Sequence, residues 1–261
     1  MRKLVFALAS VMLLTAGYST TFAQVLTEPQ NTLLKTPEQI HDERIQKLFA
    51  TSNVSVRREP RIIKKGPLAP STQDVADNRF ILDQSNTGLM RLMPREKVDR
   101  PDSAVAKEIN LRGNGAYYSF FYLSHEYKYG SDIELQQNYL MTAFAGADFG
   151  MFTELGAVPL DSLTIDHGLV TYLAQYTPPE KESEARAEFR KFAAGFAISG
   201  QEYKRNVPLK VGSTYLLRSI VYRYSDTLTA LTVTRQDDDG SAIIVWKRLK
   251  VFTTPKLIQN Q

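Results

Sequence analysis

Residues 4–16 are apolar except for Ser10 and Thr15, and Met1-Arg2-Lys3 stand before them. Small and polar residues follow, ending in Thr21-Phe22-Ala23 before Gln24. A basic start, a short apolar run and small residues at −3 and −1 have the form of an export signal, with cleavage expected after Ala23. A helix needs about 20 apolar residues to cross a bilayer, so this run is too short for an anchor. No later stretch has the length and apolarity of a spanning helix either. The mature chain is therefore expected to be exported, periplasmic or extracellular, soluble, and without a transmembrane anchor.

Beyond the signal, periodicity divides the chain. Thr36-Pro37-Glu38-Gln39 reads as a capped helix start, and Ile40, Ile45, Leu48 and Phe49 give it one apolar face up to about residue 50. Residues 57–70 carry Pro60, Gly66, Pro67 and Pro70 among basic residues and read as a linker. A second helix is expected over 71–82, capped by Ser71. From about residue 107 the period shifts toward two. Strands are expected over 109–123, where aromatic and β-branched residues follow Gly113-Asn114-Gly115, then around Ile133–Met141, 149–155 and 169–176. One firm helix interrupts them: Thr177 and Glu180 offer a capping box, and Ala185, Phe189, Phe192 and Ala193 form a stripe that Gly195 ends. The last third reads as a meander over 215–224, 227–236 and 242–252. Ser225-Asp226 and Asp237-Asp238-Asp239-Gly240 separate its strands, and tight turns force antiparallel pairing.

The pattern predicts an α+β fold, predominantly antiparallel β, of about seven strands in a sandwich or partly open barrel, with one firm helix and an N-terminal helical arm. The expected division is 1–23 signal peptide, 24–70 helical arm and basic Pro-containing linker, and 71–257 a single β-rich domain.

Charge adds a distribution rather than a total. The formal +4 includes Arg2 and Lys3, so the expected mature chain carries only +2, and no nucleic-acid partner is expected. Residues 124–176 hold seven acids against Lys128 alone, and residues 201–256 hold ten Lys and Arg against five acids. Such blocks can neutralise one another across neighbouring strands. The basic block Arg57, Arg58, Arg61, Lys64 and Lys65 is either a solvated linker or a salt-sensitive contact to an anionic surface. With no cysteine in the chain, disulfides, thiolate metal sites and a lipidated N-terminal cysteine are excluded.

Catalytic signals are sparse. His41, His125 and His167 lack the local pairing of metal ligands, so no metal and no cofactor is expected. Ser124-His125-Glu126 resembles a triad in one line, yet successive strand residues point to opposite faces. There is no Gly-x-Ser-x-Gly elbow in the mature chain, no P-loop, and no third glycine after Gly113-Asn114-Gly115. Asp237-Asp238-Asp239-Gly240 lacks the spacing of a calcium loop.

The most unusual feature is aromatic crowding. Tyr117, Tyr118, Phe120, Phe121, Tyr122, Tyr127, Tyr129, Tyr139, Phe144, Phe149 and Phe152 fall within 36 residues that also carry Glu126, Asp132, Glu134 and Asp148, four of the seven acids of the acidic block. Either the strand is buried on both faces, or one face is an open platform on which rings stack a ligand while carboxylates accept its hydrogen bonds. The candidate ligand-binding residues are Tyr117, Tyr118, Tyr122, His125, Glu126, Tyr127 and Asp148; no catalytic residue is identified.

Asn110-Leu111-Arg112-Gly113-Asn114-Gly115-Ala116-Tyr117-Tyr118-Ser119-Phe120, Ala145-Gly146-Ala147-Asp148-Phe149-Gly150 and Thr214-Tyr215-Leu216-Leu217-Arg218-Ser219-Ile220 resemble uncharacterised exported proteins of environmental bacteria. The resemblance covers most of the mature chain, implies export, and brings no activity. The leading expectation is a non-catalytic binding or envelope-associated module whose partner is a small molecule, glycan or envelope component. The alternative is a glycan-active hydrolase using two carboxylates among Glu126, Asp132, Glu134, Asp148, Glu154, Asp161 and Asp166, placed about 5–9.5 Å apart.

Overall fold

The computed structural model describes residues 62–99, 115–125, 130–144 and 146–258. The signal peptide and the helix expected near residues 36–50 lie outside them, as do Arg57, Arg58 and Arg61. The fold is mostly antiparallel β with one long helix, as the pattern predicts. In chain order come α1 (Thr72–Asp77), α2 (Arg79–Leu82), β1 (Thr87–Leu92), α3 (Arg95–Val98), β2 (Tyr117–Tyr118), β3 (Ile133–Gln136), β4 (Tyr139–Met141) and β5 (Phe149–Gly156). Then follow α4 (Thr171–Gln175), α5 (Glu182–Ala194), β6 (Phe196–Ile198), β7 (Gln201–Tyr203), β8 (Asn206–Pro208), β9 (Thr214–Val221), β10 (Ser225–Gln236) and β11 (Ala242–Val251).

A five-stranded sheet in the order β1-β11-β10-β9-β5 faces a four-stranded sheet in the order β2-β3-β4-β8, and β6 and β7 form a separate hairpin. Between the two sheets lie Met90, Leu92, Tyr118, Phe120, Ile133, Leu135, Leu140, Leu217, Leu231, Ile244 and Trp246. The outer face of the large sheet packs Met151, Leu216, Ile220, Leu228 and Ile243 against Leu173, Ala185 and Phe192 of α4 and α5. β9 is therefore covered on both faces and buried along all 8 residues. Its apolar residues accordingly serve both faces, Leu216 and Ile220 toward the helices and Tyr215 and Leu217 toward the small sheet. Backbone bonds tie the sheets at both edges: Phe152 and Lys204 exchange them at 2.7 and 3.0 Å, and Met93 donates to Gly115 at 3.0 Å. The sandwich thus approaches a closed barrel, which protects otherwise open strand edges.

Several boundaries differ from the pattern, each for a local reason. Residues 169–176 form α4 and not a strand. Val170 and Leu173 are fully buried three residues apart, a helical spacing that a short apolar run cannot distinguish from a strand. Ser225 and Asp226 do not separate the meander strands but belong to β10. The turn is Tyr222–Tyr224, with Arg223 at φ 69°. The long helix starts at Glu182, later than Thr177 suggests. The Pro179 carbonyl accepts the Tyr222 hydroxyl at 2.5 Å and the Glu180 carbonyl accepts the Ile258 N–H at 2.8 Å, which keeps that stretch extended. Ser71 does cap its helix: Asp74 N–H reaches Ser71 Oγ at 3.0 Å and Ser71 N–H reaches Asp74 Oδ2 at 2.7 Å. Asn78 then breaks the expected 71–82 helix into α1 and α2.

Candidate functional site

The aromatic stretch is buried on both faces, so no open platform exists at Tyr117 and Tyr118, each 3% exposed. Their side chains go opposite ways, as strand alternation requires. Tyr117 packs outside the small sheet with Leu68, Met93, Val98 and Ala116, edge-on to Phe144 at 5.5 Å. Tyr118 turns inward, edge-on to Phe120 at 5.3 Å and to His125 at 5.2 Å, with Trp246 at 6.1 Å. Phe120 reaches Trp246 at 5.7 Å. The four rings come from the stretch 118–125 and from β11, more than 120 residues away in sequence.

The strand expected over 109–123 ends at Tyr118 because a carboxylate takes its next amides. Asp132 Oδ2 accepts the N–H of Phe120 at 2.6 Å and of Phe121 at 3.3 Å, and the Ser119 hydroxyl at 3.3 Å. Amides committed to a side chain cannot join a ladder. The chain instead closes a turn in which Ser119 and Ser124 exchange backbone bonds at 2.7 and 3.3 Å, with Leu123 at φ 60°. Tyr122 is half-buried on this turn. From β11, Arg248 donates to the Phe120 carbonyl at 2.8 Å and to the Phe121 carbonyl at 3.4 Å.

His125 follows the turn and is buried. Its Nε2 lies 3.0 Å from the Arg91 carbonyl, and its Nδ1 has no hydrogen-bond partner among the described residues. With Nε2 as donor, Nδ1 is left as an acceptor. Burial pushes the imidazole down to about 4, against the pull of the Arg91 carbonyl, so the ring is neutral at pH 7. Trp246 Nε1, a donor only, is also buried without a partner among the described residues. Two nitrogens of opposite hydrogen-bonding character thus flank Tyr118 with capacity in reserve.

The remaining candidates do not join them. Asp148 stands before β5, where its carboxylate accepts the Tyr222 N–H at 2.9 Å; burial raises it to about 7, partly offset by that bond. Glu126 and Tyr127 lie outside the described residues. Among the other acids, Glu134 is held by Arg95 at 3.1 Å, with the Tyr117 hydroxyl also bonded to it, and burial raises its carboxyl against the Arg95 charge. Glu154 pairs with Lys210 at 2.9 Å, while Asp161 and Asp166 are exposed. Burial lifts Asp132 to about 6, with hydrogen bonds from Ser219, Phe120, Phe121 and Ser119 opposing the shift. Composition singled out the Tyr118 and His125 rings. It missed Trp246 and Arg248, whose only sequence signal is an inward position on a strand after the Asp239-Gly240 turn.

Among the described residues no group of three or more His, Asp or Glu is arranged to hold a metal ion, and no helix is long and apolar enough to cross a membrane. No family model, curated protein or solved structure matches the chain.

Proposed function

We propose that the mature chain is an exported, non-catalytic binding or envelope-associated module. Export follows from the basic start and apolar run of residues 1–23. The observation that carries the binding role is the Tyr118–Phe120–His125–Trp246 ring cluster with its uncommitted Nδ1 and Nε1 atoms. Buried polar atoms without partners are rare in native folds and concentrate where function needs them. Aromatic rings beside one donor and one acceptor suit a ligand with an apolar face and a paired hydroxyl, amide or carbonyl. The non-catalytic reading draws on the acids, since Glu134 and Glu154 hold cations while Asp132 and Asp148 hold backbone amides.

The test uses the mature protein purified from the exported fraction. Titration with soluble glycans, amines and peptides, read by fluorescence of the single tryptophan, is expected to give saturable binding that His125→Ala or Trp246→Phe weakens about tenfold or more, a loss of one hydrogen bond. Turnover of any of these compounds by the pure protein would replace the reading with the hydrolase. Retention of the chain in the cytosol would remove its export half.

A further inference from the structure

The tight turn between β10 and β11 carries the one Asp-Gly step of the chain, Asp239-Gly240. Two backbone bonds shape it. The Gly240 N–H donates to the Asp237 carbonyl at 2.8 Å, and the Asp237 N–H donates to the Ser241 carbonyl at 2.9 Å. Gly240 sits at φ 80°, and an added Cβ would meet Pro94 at 3.1 Å, so the turn requires glycine there. The same lack of a side chain leaves the Gly240 nitrogen unhindered as a nucleophile toward the Asp239 carboxyl. That carboxylate is held. Its Oδ1 accepts the Ser241 N–H at 2.9 Å and the Ser241 hydroxyl at 2.6 Å. Its Oδ2 accepts Nη2 of Arg91, from β1, at 3.1 Å. Arg91 also reaches Asp237 Oδ2 at 3.0 Å and Ser241 Oγ at 2.9 Å, so one guanidinium ties three residues of the turn. Asp238 is exposed instead, and the nitrogen that follows it belongs to Asp239, whose own side chain crowds it.

We infer that Asp239-Gly240 is an aspartyl isomerisation site, and that Arg91 and Ser241 keep it unreactive in the folded chain. In the reaction the Gly240 nitrogen gives up its proton and attacks Asp239 Cγ. The carboxyl hydroxyl leaves as water, and a five-membered succinimide ring forms. One water then opens the ring at either carbonyl, which returns aspartate or gives isoaspartate. The water lost equals the water gained, and nothing is oxidised or reduced. The attack needs the carboxyl turned onto the Gly240 nitrogen. It also needs the neutral acid, whose leaving group is a hydroxyl and not an oxide ion. The folded turn opposes both. Turning Cγ breaks the bonds to Ser241 and Arg91, and the Gly240 N–H is already engaged by Asp237. Partial burial alone would raise the Asp239 carboxyl, but the bonds from Ser241 and the charges of Arg91 and Lys97 hold it below the usual carboxylate range. Charge-assisted bonds of this kind make the reactive arrangement roughly tenfold or more rarer than in an unrestrained peptide. Isoaspartate would route the main chain through Cβ and lengthen it by one atom, in a turn that joins two long strands of the large sheet. Arg91 thus shields a step that the need for glycine makes vulnerable.

The test ages three samples side by side in neutral buffer: the folded wild type, the same chain unfolded in guanidinium chloride, and a synthetic peptide of residues 236–247. Trypsin releases that same stretch from the protein, after Arg235 and Lys247. Isomerisation leaves its mass unchanged, so the isoaspartyl form is read by chromatographic separation and fragmentation. The peptide and the unfolded chain should accumulate isoaspartate at Asp239 at similar rates, and the folded chain roughly tenfold or more slowly. Ser241→Ala deletes only a hydroxyl and should speed the folded chain severalfold. Arg91→Ala, provided that its circular dichroism matches the wild type, should bring the folded chain close to the peptide rate; if it does not fold, Ser241→Ala decides. A folded wild type that isomerises as fast as the peptide overturns the restraint, as does the absence of any gain in the folded variants. Isoaspartate at Asp238 in place of Asp239 overturns the site.

Discussion

Asp226 and Asp132 are both sealed from solvent, 1% and 0% exposed; Asp226 lies on one face of the large sheet, and Asp132, just before β3, packs against the other. Asp226 has a cation of its own. Arg218, also 1% exposed, grips it at 2.5 and 2.8 Å and spends its third bond, at 2.5 Å, on the Leu173 carbonyl of α4. The Phe252 ring covers the guanidinium. Burial raises Asp226 while the bonds and charge of Arg218 pull it back. Asp132 has dipoles alone. The paired acid fastens a helix to the sheet by a contact whose charge state is backed by its partner. The dipole-held acid fastens a turn through the Phe120 and Phe121 amides and the Ser119 hydroxyl. Two buried carboxylates of the same type thus make one tie through a cation and one through dipoles.

The sharpest way to break the comparison is to remove the cation. Arg218→Ala strands Asp226 in the interior and is expected to cost about 3–5 kcal/mol in urea denaturation. If the loss were under about 1 kcal/mol, water must reach Asp226 and the two acids would not differ in kind.

A second test varies pH instead of residues. Asp132 and Asp148 both have folded-state values raised by burial, to about 6 and about 7. The folded chain therefore binds their protons more tightly than the unfolded chain. Their contribution is fullest below the unfolded value near 4 and is lost as pH rises through 6 and 7. His125 has the opposite sign: its value is lowered to about 4, so its contribution is full above about 6.5 and is lost as pH falls toward 4. Between pH 6.5 and 7.5 Asp148 dominates. Urea midpoints of the wild type should fall across that interval, whereas those of Asp148→Asn should stay level. Parallel curves for the two proteins would place Asp148 in the ordinary range.

The smallest effect concerns a helix end remote from both acids. Ser71→Ala removes one half of the capping box on α1 and should lower stability by about 1 kcal/mol, leaving the pH profile unchanged. A change in that profile would mean that Asp74, which also binds Arg235 at 3.0 Å, couples the cap to the sheet.

Local chemistry was legible along the chain. The Ser71 cap and the turn at Asp237–Gly240 stand where residue type and spacing put them, and the three long meander strands do so apart from their first turn, which falls at Tyr222–Tyr224 and not at Ser225-Asp226, because each depends on neighbours within a few positions. Antiparallel pairing followed from the short connections alone. Burial of the aromatic stretch on both faces was one of two readings that the alternation of its rings allowed. What the chain could not reveal is where distant groups meet. Residues 169–176 became a helix because Arg218 and the outer core receive it there. The aromatic strand stopped at Tyr118 because Asp132, twelve residues beyond Phe120, takes its amides. Trp246 and Arg248 reach the turn from β11, 126 and more residues away. Sequence periodicity encodes which face of an element is apolar, since that is a property of successive residues. Which buried acid gains a cation, and which must rely on dipoles, depends on the register of strands far apart in the chain, and only the folded sandwich decides it.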